Sequence, residues 1–157
     1  MSVTIRQAVA GDRDRLVEII GRQTNFLQCE IDIAVEVVDA SFMPAESYRL
    51  LVATDVSDQL WGFTVYGPIP LTEKRYDLYW IAVDPTRGRS GVGSQLLASM
   101  ERDIAKSGGG HIYIDTSSTA GYRRARMFYE KNGYRLASRL ENFYRDGDDR
   151  IIYRKIY

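Results

Sequence analysis

The chain has 157 residues, Lys+Arg and Asp+Glu both number 21, and 45% of its residues are hydrophobic. That length suits one domain, residues 1–157, with a sizeable core. Zero net charge argues against general binding to nucleic acid or an anionic membrane, and no apolar run approaches the ~20 residues of a membrane span.

The first residues, MSVTIRQAV, lack the basic start and apolar core of a signal peptide, so a cytoplasmic protein is expected. Thr4 to Val9 reads as a strand. Asp12 is a plausible N-cap for a helix whose apolar face is Leu16, Ile19 and Ile20. Gln23 to Gln28 is a loop. Cys29 is the only cysteine, which excludes an intrachain disulfide and a cysteine-based metal site; no metal is expected. Ile31, Ala34, Val35, Val38 and Phe42 recur at helical spacing, and Pro44 stops that helix. Tyr48 to Thr54 and Leu60 to Tyr66 read as a hairpin around Asp55 to Asp58, with Gly62 weakening the second strand. Gly67 to Lys74 is a loop with two prolines, placed near the functional site because it leads into the next strand. That strand, Tyr76 to Val83, is apolar on both faces apart from Asp77, as befits a central strand covered on two sides.

A third helix runs from about Ser90 to Lys106, with Leu96, Leu97, Met100 and Ile104 as its buried stripe, and Gly108 to Gly110 end it. His111 to Asp115 is a strand. His111 is the only histidine, and at a strand start it reads as structural. A loop, TSSTAG, precedes a fourth helix, Tyr122 to Asn132, closed by Gly133. Tyr134 to Leu140 and Arg150 to Ile156 are strands connected by NFYRDGDD. The strand–helix–strand unit in the middle implies a parallel pair, with hairpins elsewhere: a mixed, mostly antiparallel α/β sheet with helices on both faces.

The organising stretch is VDPTRGRSGVGSQLL, Val83 to Leu97. It places a basic, glycine-rich turn between a buried strand and a helix. Gly91 and Gly93 remove side chains where a backbone must be approached, Arg87 and Arg89 bring positive charge, and the helix start offers unpaired N–H groups and the positive end of its dipole. Such a site suits a phosphate or pyrophosphate. No Gly-Lys-Ser/Thr follows, so it is not a P-loop, and Leu96 stands where a dinucleotide fingerprint needs its third glycine. The competing reading is an ordinary strand-to-helix turn whose glycines serve geometry alone.

This stretch resembles motif A of the GNAT superfamily of acyl-CoA-dependent N-acyltransferases, V-x-P-x-x-[QR]-G-x-G-x-[GA]. Val83, Asp84, Pro85, Gly91 and Gly93 match, while Gly88 departs from the usual Gln or Arg. ARMFYEKNGY, Ala125 to Tyr134, resembles motif B, with the family's asparagine replaced by Tyr122. The order of elements is also that of GNAT proteins, so the resemblance spans almost the whole chain. DLYWIAVDP, DTSS and FYRDGDDRIIY resemble a narrower bacterial acetyltransferase group. The last phrase also resembles the C-terminal hairpin of the ribosomal-protein alanine acetyltransferases.

The resemblance implies a splayed central strand pair and transfer of an acetyl group from acetyl-CoA to an amine of a small molecule or peptide, by direct attack in a ternary complex. It implies coenzyme contacts from Ile81, Ala82 and Val83, from the turn Arg87, Gly88, Arg89, Ser90, Gly91, Val92, Gly93 and Ser94, and from Tyr122 and Phe128. Tyr129 takes the place of the family's general acid; its competing reading is an aromatic packed on the sheet. An alkyl amine is only about 0.1% neutral at pH 7, a shortfall of roughly 4 kcal/mol, so a base is needed. Asp77 aligns with a carboxylate that serves some family members, against a solvated strand-end charge as the alternative; Glu73 is the reserve. Thr24 to Glu30, Tyr66 to Lys74 and Glu141 to Asp149 should shape the acceptor site. Asp146, Asp148 and Asp149 would suit a cationic acceptor, the competing reading being a solvated turn. A homodimer is compatible with this reading, and a catalytically silent acyl-CoA-binding module on the same fold is the alternative.

Overall fold

The computed structural model describes residues 2–157. Its organising element is β4 (Arg75–Val83). It lies in a seven-stranded sheet with β1 (Thr4–Gln7), β2 (Arg49–Thr54), β3 (Leu60–Pro68), β5 (His111–Ser117), β6 (Arg135–Arg145) and β7 (Asp148–Ile156), ordered β1-β2-β3-β4-β5-β7-β6. Only β4 and β5 run parallel. The crossover between them is α3 (Val92–Lys106), since a parallel pair needs a long connection.

The remaining helices are α1 (Arg13–Gly21), α2 (Gln28–Ser41) and α4 (Arg123–Lys131). On one face Leu16, Ile19 and Ile20 of α1 and Ala34 and Val38 of α2 pack on Val52, Phe63, Val65 and Ala82. On the other, Leu97, Met100 and Ile104 of α3 and Tyr129 of α4 pack on Tyr66, Leu78, Ile112 and Ile114. The apolar stripes legible at helical spacing thus bury themselves on opposite faces of one sheet. No helix is long and apolar enough to cross a membrane among the described residues.

The sheet opens at a defined place. Pairing of β4 with β5 ends at Leu78 opposite Ile114, whereas pairing of β4 with β3 continues to Val83 opposite Gly62. Val65 faces Trp80 but Tyr66 faces Leu78, so Tyr79 is an extra residue on β4. This bulge bends β4 away from β5, while β5 follows β7 as far as Ser117. Tyr79 to Val83 therefore border a gap.

Two connections differ from expectation. β3 extends to Pro68 and β4 begins at Arg75, so the loop shrinks to a tight turn closed by the Ile69 N–H on the Arg75 carbonyl, 2.9 Å. Proline is tolerated there because β2 ends opposite Tyr66 and asks no ladder bond of it. This turn lies at the entry of β4, opposite the gap, not beside it. The second difference is NFYRDGDD, which is no loop: β6 and β7 form a long ribbon turning at Asp146-Gly147, with Gly147 at φ +80° and Asn142, at φ +52°, within the irregular stretch after Leu140. Asp-Gly is a strong hairpin signal because that turn demands positive φ.

Candidate active site

The turn from Asp84 to Gly91 carries strand β4 into helix α3 at the mouth of the gap. Arg89 and Gly91 both adopt left-handed backbone, φ +61° and +77°. The consequence is electrostatic. Among the described residues, no backbone N–H from Arg89 to Ser94 finds an acceptor; the first helical bond belongs to Gln95, on the Gly91 carbonyl at 3.1 Å. A row of unsatisfied N–H groups at a helix start is a cradle for an anion. Val92 buries its side chain and so offers backbone alone. Gly88 is not part of the row, because its N–H is spent on the Pro85 carbonyl. The Ser90 hydroxyl closes the turn by donating to the Arg87 carbonyl, 2.6 Å.

The two arginines divide. The Arg87 guanidinium stacks 4.5 Å above the Trp61 ring, and the Trp61 N–H donates to Asp55. Arg89 is exposed and has no ion-pair partner among the described residues.

Asp84 anchors this turn. It is fully buried and accepts hydrogen bonds from the Thr86 N–H (2.9 Å), the Thr86 hydroxyl (2.8 Å), Arg15 and Arg22 (3.1 Å). Burial alone would raise its carboxyl; the bonds from Thr86 and Arg15 outweigh that and hold it down to about 2. Its stabilisation is therefore complete above the ordinary carboxyl range and is lost as pH falls toward about 2. Asp84→Asn should cost about 2 kcal/mol at pH 7. That deficit should shrink between pH ~4 and ~2, as read by urea unfolding at pH 7 and pH 3; an equal deficit at both would remove the ion pairs as its cause.

Backbone alternation sorts the β4 residues. The Asp84 N–H donates to the Trp61 carbonyl, 2.7 Å, so Val83 and Gly62 form a non-hydrogen-bonded pair. Ile81 and Val83 then turn their N–H and C=O groups toward the gap, while those of Ala82 bond to β3. Ala82 is thus removed from the expected set of backbone contacts. The Val83 carbonyl is taken by the Gln23 side chain, 3.1 Å.

Helix α4 meets α3 through its own motif. A Cβ added to Gly93 would lie 3.1 Å from the Phe128 ring. Gly93 therefore lets the two helices approach, and Phe128 is a packing partner of the turn. Arg124, one helical turn before Phe128 on the same stripe, is exposed and has no ion pair among the described residues. Sequence reading missed it; its spacing of four from Phe128 was the available signal.

Tyr129 is buried among Phe128, Tyr134 and Tyr153, at ring separations of 5.6, 6.4 and 6.0 Å. Its hydroxyl has no protein partner in the described residues, and burial raises its pKa. Tyr122 does not stand free as a coenzyme contact: its hydroxyl donates to Glu30 in the first turn of α2. The other Glu30 oxygen caps that helix through the Leu27 N–H, 2.7 Å.

The loop before α4 is pinned from two sides. Asp148 accepts from the Ser117 hydroxyl, and the Asp149 N–H donates to the Ser118 hydroxyl at 2.8 Å. Arg126 donates to the Ser117 and Thr119 carbonyls at 2.6 and 2.8 Å. Asp148 and Asp149 are buried and also paired with Arg145 and Arg139. They are struts, neither an acceptor site nor a solvated turn; only Asp146 is exposed.

Asp77 is half-buried on β4 opposite Tyr113, without a hydrogen-bond partner among the described residues. Burial first, then the nearby Asp115, pushes its carboxyl up to about 6, opposed by Arg150. Asp115 is held by Arg150, whose guanidinium stacks 4.9 Å above Phe143. Glu73 is exposed in the turn before β4, whose first residue is Arg75, four residues along the strand from Tyr79. The fold does not bring it to the gap.

The comparisons agree with this geometry. A family model described as "Acetyltransferase (GNAT) domain" matches residues 46–136. A GNAT-family protein from Desulfovibrio desulfuricans is 39% identical, with 99% of each chain covered and a TM-score of 0.93. The ribosomal-protein alanine N-acetyltransferase of Escherichia coli shares the fold at 22% identity, with 99% of this chain and 94% of that chain covered and a TM-score of 0.77. An aminoglycoside 6'-N-acetyltransferase solved with coenzyme A does so at 20% identity, 98% and 96% coverage and a TM-score of 0.74. No curated protein matches the chain by sequence. Motif, sheet opening and relatives converge, and the chain belongs to the GNAT acetyltransferase family.

Proposed function

We propose that this chain is an N-acetyltransferase that moves an acetyl group from acetyl-CoA to a primary amine of a small molecule or peptide, by direct attack in a ternary complex. The observation that carries this reading is the unsatisfied N–H row from Arg89 to Ser94 at the mouth of the opened sheet. It fits the pyrophosphate of coenzyme A. Arg89 and Arg124 are exposed cations without ion pairs among the described residues and so are available to its phosphates, whereas Arg87 stacks on Trp61.

Acetyl-CoA supplies an activated thioester. The free N–H groups of Ile81 and Val83 at the gap are donors for the oxyanion that develops there. Tyr129 presents a protonated phenol with an uncommitted hydroxyl. Because its pKa is raised, complete proton transfer to a thiolate is more uphill than for a free phenol. Its role is a hydrogen bond that strengthens as charge builds on the sulfur. Asp77 takes the amine proton. A carboxyl raised to about 6 is a better base than an ordinary one and is still ionised at pH 7. Acceptor entry lies on the α2 side of the sheet, where Glu30 and Asp115 are each within Coulombic reach of Tyr144.

The test is thiol release from acetyl-CoA across a panel of amines, where coenzyme binding without turnover on any amine would make the chain a silent binding module. The same assay tests Asp77. Activity should fall about tenfold for each pH unit below ~6 as the carboxylate protonates, and Asp77→Asn should remove that limb with a lower plateau. Because folding raises the Asp77 pKa, its ionised form costs stability above pH ~4. The same variant should therefore melt no lower than wild type at pH 7. An unchanged acid limb in Asp77→Asn would take the base role away from it.

A further inference from the structure

A second concavity lies away from the gap. It is a groove of about 460 Å³ between the β1–β2 edge and the C-terminal half of α3, continued by a neighbour of about 320 Å³ that shares Ile5, Ser99 and Arg102. That size suits a small molecule. From Ser94 to Arg102 the helix advances roughly 12 Å, which sets Arg102 and Lys106 apart from the coenzyme turn at the other end of α3, while the smaller cavity reaches back to Gln95.

Its polar groups are arranged around a neutralised centre. Tyr66, wholly buried, donates its hydroxyl to Asp103, and Arg49 pairs with the same Asp103 oxygen at 2.9 Å. Asp103 is thereby satisfied from two sides and has no need of a further cation. Yet Arg102 and Lys106 stand on the same wall, exposed and without an ion pair among the described residues. Arg102 donates only to the Ser99 hydroxyl, 2.7 Å. Lys106 sits in the last turn of α3, where a cation also offsets the helix dipole; Arg102, a turn earlier, has no such reason. Arg6 borders the groove, but its guanidinium is committed to Asp12 and Asp58. The groove thus carries two cations without a direct ion pair among the described residues, Arg102 and Lys106, with Asp103 as the carboxylate within Coulombic reach of Lys106.

We propose that this groove binds a small organic anion bearing carboxylate or phosphate groups, gripped by Arg102 and Lys106. A planar guanidinium and an ammonium one turn apart match two acid groups on a short frame. The Arg49–Asp103–Tyr66 network forms the rigid floor. This site is independent of the coenzyme reading.

The experiment uses the full chain saturated with coenzyme A, so that the N–H row at the turn is already filled. Citrate and inorganic phosphate are titrated as probes at constant ionic strength, read by calorimetry. Saturable binding of at least one is expected, weakened tenfold or more in the double variant Arg102→Gln, Lys106→Gln, with coenzyme affinity within about twofold of wild type. Which probe binds tells carboxylate from phosphate. No saturable binding of either, or equal binding by the double variant, overturns the proposal. Should coenzyme A itself fail to bind wild type, the coenzyme reading falls, and the comparison of wild type with the double variant still decides the groove.

Discussion

Tyr129→Phe is expected to lower kcat by about 10²–10³-fold, or ~2.7–4 kcal/mol in the barrier, while the protein folds and binds coenzyme as before. The structure makes this substitution unusually clean. The ring packs against Phe128, Tyr134 and Tyr153, and phenylalanine keeps all three contacts. The hydroxyl bonds no protein group among the described residues, so its removal breaks no internal hydrogen bond. The melting temperature should therefore hold or rise slightly. Coenzyme affinity should change by less than about tenfold, or ~1.4 kcal/mol. The measurement is kcat on the best amine, with the coenzyme dissociation constant in parallel. A kcat within about threefold of wild type, with chemistry shown to limit the rate, would leave Tyr129 as a packing residue.

Gly91→Glu should weaken coenzyme A binding by about 100-fold or more, ~2.7 kcal/mol. Two effects add. Gly91 sits at φ +77°, where an L side chain is strained by about 1–2 kcal/mol, though a Cβ there meets no atom within 4 Å. The larger effect is the carboxylate, which competes for the N–H row and repels an incoming phosphate. Gly91→Ala separates them: it carries the strain without the charge and should lose less than about tenfold. Both variants should fold, a few degrees less stable, because nothing is displaced. The readout is the coenzyme-induced rise in melting temperature, confirmed by calorimetry. A rise in Gly91→Glu equal to that of wild type would detach the turn from coenzyme binding.

The element order, the two buried helical faces and the basic turn were legible in the chain because each is written locally. Leu97, Met100 and Ile104 recur at the period of a helix, Tyr76 to Val83 are apolar on both sides apart from Asp77, and Gly91 stands where the backbone must be left-handed. Periodicity and dihedral preference act over a few residues and survive in one dimension. What only the tertiary structure decided are the partners reached across long separations. Asp148 and Asp149 looked like a solvated charge run, yet they clamp a loop 31 residues earlier. Glu73 adjoins β4 in sequence but lies at its far end, and Arg87 and Arg89 differ only in what surrounds them. Tyr122 is captured by Glu30, 92 residues away. A charged or hydroxyl side chain reads alike in sequence whether water or a buried partner satisfies it. Its role is set by the desolvation and hydrogen bonding that the assembled fold imposes.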